Sequence, residues 1–245
     1  MCVIALAYRA SARYPLIACA NRDENHLRPT ANAGWWLDEP DVLGGRDLEA
    51  GGSWLAVDRR GRLAAVTNVH VAGRPPGPGA RSRGLLVSGF VGGPARAGEF
   101  VAALEPTAAD YGPFNLVLYD GDQLYYAGNR APSQRLPAGV HAFSNALPGA
   151  GWPKIVRARE GLSAVLEEPD PAEALFALLA EAAPPPSGFD ARQAALFQHD
   201  PDWGTRCSTL VLVEAAGRLR FIERRFNPEG VWSGEDSYEF NITRR

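Results

Sequence analysis

Near the start of the chain, in "MCVIALAY", a cysteine stands second, at the head of an apolar run. A thiol in that place becomes a chain-terminal nucleophile once Met1 is removed. The small Cys2 side chain permits aminopeptidase cleavage, and the freed α-amine, with an unperturbed pKa of roughly 7.7–8.0, is a base near neutral pH. Such a residue attacks a carbonyl without a separate histidine. The next chemistry-bearing group is "ANRDEN" over residues 20–25. A guanidinium at Arg22 would lower the pKa of a neighbouring thiol, and a carboxylate at Asp23 or Glu24 would hold an ammonium or orient an amine. Two asparagines complete the set, Asn68 at the end of "RLAAVTN" and Asn145 at the end of "VHAFSN". An uncharged amide at a strand end suits an oxyanion or a substrate carbonyl. Taken singly, each has an ordinary use: a strand cysteine, a polar turn, asparagines where strands end.

The elements that must position these residues follow from patterning. Residues 3–8 and 16–20 are apolar runs around "RASARYP", an opening β-hairpin whose second strand ends in the polar cluster "NRDENHLRP". That hairpin brings its far end back beside Cys2. Residues 53–57 and 62–67 flank the turn sequence "DRRG", and "FNLVLYDGDQLYYAGN" places two apolar runs around "DGD". Short helices are expected over 83–91 and 94–104, longer ones over 153–166 and 171–182, and an exposed Pro/Gly-rich loop over 71–82. "VHAFSN" is a strand, and residues 208–213 and 218–226 form a last hairpin around "EAAG". Strands, then helices, then strands give an α+β fold of helices on antiparallel sheet. With no internal repeat and no long linker, residues 1–245 are expected to form a single domain.

Composition excludes several classes. With 25 basic and 28 acidic residues the net charge is −3, without the basic excess that nucleic-acid binding usually needs. No apolar run approaches the roughly 20 residues of a membrane span, and the start lacks a secretory pattern, so a soluble cytoplasmic protein is expected. Cys2, Cys19 and Cys207 show no CxxC spacing, and His26, His70, His141 and His199 are scattered, so neither a disulfide framework, a metal site nor a resident cofactor is expected. Lys154 is the only lysine. Beside abundant Ala, Gly and Pro this reads as codon usage in a GC-rich genome, with Lys154 paired to a surface acid. The glycines of "LGGRDLEAGG" lack a following helix signal and make no phosphate cradle. Trp35, Trp36 and Trp54 are candidates for an apolar pocket, though core packing is their usual role.

"MC", "PLIACANRDENHLRPT", the "WW" pair, "GGRDLEAGGSWLAV", "GRLAAVTNV", "SRG", "FNLVLYDG", "HAFSNALPGAGWPK" and "GTRCSTLVLV" run in order over nearly the whole chain. In these motifs the sequence resembles the NRDE family, the transport-and-Golgi-organisation type. That family is similar to the choloylglycine-hydrolase and penicillin-acylase branch of N-terminal nucleophile hydrolases. The resemblance implies a four-layer αββα sandwich, Cys2 as nucleophile, and roles for Asn68 and Asn145 near the oxyanion. The branch separates its arginine and aspartate by two residues, whereas Arg22 and Asp23 are adjacent, so their roles are shared with Glu24 or the alignment slips. Arg206 stands in for a late arginine. Eukaryotic relatives are associated with haem movement and with lipid or acyl-CoA metabolism, which makes His70 the histidine to consider and Trp36 a candidate for the ligand pocket.

Two readings follow. In the first, a cysteine hydrolase cleaves a C–N amide of a small molecule, with Cys2, Arg22, Asp23, Asn68 and Asn145 catalytic and Glu24, Trp36, His70 and Arg206 binding substrate. In the second, the same fold carries haem or an acyl-CoA-like ligand and keeps Met1.

Overall fold

The computed structural model describes residues 2–70 and 79–243. Its chain gathers into two compact units, Met1–Leu27 with Ala138–Ser144 and Gly149–Asn241, and Arg28–Pro137 with Asn145–Pro148 and Ile242–Arg245. The chain passes between them repeatedly, so no linker marks a boundary. Of the loop expected over 71–82, residues 71–78 lie outside the described residues, as does Met1.

The first unit is an antiparallel sheet of β1 (Val3–Tyr8), β2 (Leu16–Asn25), β10 (Gly139–Ser144), β11 (Trp203–Val213), β12 (Arg218–Phe226) and β13 (Trp232–Asn241), in the order β10-β1-β2-β11-β12-β13. Helices α3 (Pro153–Ala164), α4 (Ala172–Leu179) and the short α5 (Ala191–Ala194) belong to the same unit. Period-two alternation puts Val3, Ala5 and Ala7 of β1, Ile17 and Cys19 of β2, and Leu210 and Leu212 of β11 into one cluster with Ala158, Leu162, Leu175 and Leu179 of the helices. Full burial of a leucine such as Leu162 or Leu175 contributes about 1.5–3 kcal/mol. Pro153 occupies the first helical position of α3, where its missing N–H costs nothing. Beyond the expected hairpin, β13 is an edge strand whose polar alternation hides it from a hydrophobic scan. Arg224 reaches Glu235 and Arg218 reaches Glu239 across from β12, and these charges also blunt the edge.

The second unit holds a seven-stranded antiparallel sheet in strict sequence order. Its strands are β3 (Thr30–Trp35), β4 (Val42–Asp47), β5 (Leu55–Asp58), β6 (Leu63–Asn68), β7 (Phe114–Tyr119), β8 (Leu124–Gly128) and β9 (Gln134–Arg135). Helices α1 (Gly84–Gly92) and α2 (Ala97–Leu104) cover one face, where Leu86, Val87, Phe90 and Val101 meet Val42, Ala56, Ala64, Leu116 and Leu118. Strands β3 and β4 were not expected from the sequence. Small residues and glycines depress their apolar signal, and packing explains the glycines. A Cβ on Gly45 would collide with the Trp54 ring, and Gly52 at φ +72° lies against the backbone of Gly84.

The fold class is therefore α+β as expected, each sheet carrying helices on one face. No described helix is long and apolar enough to cross a membrane.

Candidate active site

The NRDE residues are strand, not turn. Strand β2 continues through Asn25, because β11 starts at Trp203 and pairs along its full length, from Asn25↔Trp203 to Leu16↔Val213. The hairpin of β1 and β2 sets Val3 opposite Asn21, so Cys2, directly before β1, comes beside Arg22 and Asp23. The Cys2 Sγ donates to the Asp23 carbonyl at 3.8 Å, and Ser144 Oγ at the end of β10 donates to the Cys2 carbonyl at 2.6 Å. The nucleophile candidate is thus held from both neighbouring strands.

Alternation sorts the motif. Asn21 lies on the helix-bearing face, where its Nδ2 donates to the carbonyls of Leu179 (2.8 Å) and Leu196 (2.9 Å) and its Oδ1 accepts from Ser208 (2.6 Å). It is a structural tie. Asp23, two residues on, is buried, and its Oδ1 accepts from Thr205 Oγ1 at 2.7 Å. Thr205 Oγ1 in turn accepts the Gln198 N–H at 2.9 Å, which fixes its hydroxyl toward Asp23. Burial pushes the Asp23 carboxyl up, while the Lys154 charge and the Thr205 hydrogen bond pull it down. Lys154 was expected to pair with a surface acid. Instead it is wholly buried in the first turn of α3.

Arg22 lies on the other face of β2, buried, with Glu24 at 3.9 Å. Arg206 sits where the β2–β11 register shifts between Thr205 and Cys207, a bulge that re-aims its side chain, and its guanidinium donates to the Asn25 carbonyl at 2.9 Å. Burial first, and then the Arg22 charge, hold Arg206 below its ordinary value, so two guanidinium groups share this neighbourhood. Burial raises the Cys2 thiol, which the amino-terminal charge, the hydrogen bond to the Asp23 carbonyl and the Arg22 charge only partly offset. At neutral pH the thiol therefore keeps its proton and needs a base. Cys19 and Cys207 are worse nucleophiles: both are buried, with Cys19 pushed up to about 12 and Cys207 raised well above its ordinary value.

The remaining expected residues belong to the second unit. Asn68 ends β6 with an exposed side chain, and its carbonyl accepts from Asn145 Nδ2 at 2.6 Å. The Asn145 carbonyl accepts the His70 N–H at 2.9 Å. One Asn145 amide hydrogen is thereby committed, whereas its buried Oδ1 meets no hydrogen-bond donor among the described residues. The open atom of Asn145 is therefore an acceptor. His70 is exposed, and among the described residues no group of three His, Cys, Asp or Glu side chains could hold a metal ion. Trp36 is core, not pocket. It packs with Val42 and Leu86, and its Nε1 donates to the Gly44 carbonyl at 3.0 Å.

Sequence reasoning missed Thr205, Ser144 and Lys154. Only the last carried a signal, its being the one lysine among 25 basic residues.

Antiparallel sheets that carry helices match the fold of the N-terminal nucleophile hydrolases, an αββα sandwich. An N-acylethanolamine-hydrolyzing acid amidase ortholog from Caenorhabditis elegans superimposes with a TM-score of 0.51 at 9% identity, covering 86% of this chain and 92% of that one. A mutant conjugated bile acid hydrolase from Clostridium perfringens gives 0.51 at 10% identity, covering 99% and 98%. Within that fold class the chain belongs to the transport and Golgi organisation 2 family, whose profile matches residues 1–228. The transport and Golgi organization 2 homolog of Mus musculus is 31% identical over 259 residues, 94% of this chain and 93% of the relative. The Bos taurus homolog is 35% identical over 240 residues, 86% of each chain.

Proposed function

We propose that the protein is a cysteine hydrolase that cleaves a C–N amide bond of a small molecule, with Cys2 as nucleophile after Met1 is removed. The observation that carries this reading is Cys2 held beside Asp23, on a fold shared with an amidase and a hydrolase by name. The raised thiol requires a base, and the α-amine of a chain beginning at Cys2 is the one built into the nucleophile itself. Sγ attacks the amide carbon as its proton passes to that amine. The C–N bond then breaks as the ammonium returns the proton to the leaving nitrogen. Water, deprotonated by the same amine, attacks the thioester and releases the acid and the thiol. Arg22 and Arg206 favour a substrate with an anionic or strongly polarised group near the scissile bond.

Cys2→Ala abolishes turnover of an N-acyl amine panel while the folded far-ultraviolet spectrum is kept, and intact mass shows natively expressed protein lighter by one methionine. Retained methionine together with undiminished turnover in Cys2→Ala would overturn the proposal. A haem or acyl-CoA analogue that shifts the melting temperature equally in wild type and Cys2→Ala would support the carrier reading instead.

A further inference from the structure

Lys154 is unusual in three ways at once. A lysine almost never has zero exposure unless it is paired, and Lys154 has zero exposure. A cation is disfavoured in the first turn of a helix by the macrodipole, yet Lys154 follows Pro153 at the start of α3. And every other basic residue in this chain is arginine. If nucleotide composition replaced lysine wherever arginine served, the surviving lysine marks a place where arginine does not serve. A guanidinium is larger and forked, whereas an ammonium is a compact point charge. The acids whose charges act on Lys154 are Asp23, Cys2 and Asp190, which caps α5. Asp190 is exposed and Asp23 is buried, so the interaction least screened by water is with Asp23.

We infer that Lys154 is a positioning residue of the Cys2 site, the built-in counter-charge of Asp23 that fixes the electrostatic field around the Cys2 thiol. Burial raises the Asp23 carboxyl, which the amino-terminal charge and then the Lys154 charge pull down, and the ionised carboxylate raises the Cys2 thiol; a fixed cation beside Asp23 therefore opposes both effects. Thr205 then orients the carboxylate from β11. The amino-terminal charge, Arg22 and Glu24 of β2 and Arg206 of β11 are the other charged groups nearby, and they are the same in every variant. The catalytic meaning of this arrangement rests on the hydrolase reading, but its electrostatics do not.

The test is the pH dependence of Cys2 alkylation by iodoacetamide, resolved by peptide mapping, in wild type, Lys154→Met, Lys154→Arg and Asp23→Asn, each checked for folding by thermal melting. Lys154→Met slows alkylation at fixed pH by about tenfold, the midpoint moving up by about one pH unit. Asp23→Asn moves it the opposite way, because a negative charge leaves and a positive one stays. Lys154→Arg does not restore the wild-type profile. Opposite signs from two members of one pair are not produced by loosened packing. An unchanged midpoint in folded Lys154→Met overturns the inference. If that variant does not fold, Asp23→Asn decides alone, and a midpoint that stays or rises overturns it. Shifts of the expected sign in a protein without Cys2-dependent turnover sustain the inference and sink the hydrolase reading. Cys2-dependent turnover with an indifferent midpoint does the reverse.

Discussion

At the scale of single residues, exposure separates the three cysteines more sharply than charge does. Cys2 is half-buried, whereas Cys19 and Cys207 have no useful exposure and thiols far above neutral pH. Iodoacetamide on the native protein should therefore modify Cys2 alone, faster as pH rises because its thiol is raised and the thiolate is the reactive form. Peptide mapping before and after denaturation checks this, and native modification of Cys207 would contradict the placement. Cys2 was legible as a candidate because its position in the chain is a sequence property. That its thiol sits above the ordinary range was not legible, since burial is made by residues distant in sequence.

Among elements, the decisive difference from expectation is the length of β2. An apolar scan stops the strand at Ala20, because "NRDEN" carries no hydrophobic signal. The strand continues because β11 supplies hydrogen bonds to its backbone and Thr205, Ser208 and the ends of α4 and α5 satisfy its buried side chains. Asn21 is the tie in this arrangement, with three buried hydrogen bonds to three different segments. Asn21→Ala leaves two carbonyls and a hydroxyl without their partner and should cost about 2–4 kcal/mol of unfolding free energy. Denaturant unfolding measures this, and a loss below about 1 kcal/mol would show the tie to be dispensable. β13, β3 and β4 escaped notice for a related reason: edge strands and glycine-rich strands are specified by pairing and close approach rather than by apolar alternation.

For the molecule as a whole, the arginine-rich surface and the single buried lysine make a global prediction. Lys154 has no exposure, so an amine-acylating reagent should leave it untouched in the native state and label it after denaturation. Peptide mass spectrometry distinguishes it from the α-amine, the only other primary amine class. Native labelling at Lys154 faster than global unfolding would contradict its burial. Both units draw on separated stretches of the chain. This is why composition, linkers and repeats gave no hint of them.

The sequence by itself determined which residue types were present to do chemistry: a thiol next to the chain start, the Arg-Asp pair, two strand-end asparagines. It also determined the family, because the order of those motifs is a one-dimensional property. The tertiary structure decided where those residues sit and what they touch. It placed Asn21 in packing, set the Asp23 carbonyl against the Cys2 thiol, left the Asn145 Oδ1 without a donor among the described residues, and put Trp36 in the core. It also brought forward Lys154, which the sequence had shown only as a rarity. The physical reason is that charge and hydrogen-bonding effects depend on distance and desolvation, and both are set by which strands and helices pack together rather than by neighbours along the chain.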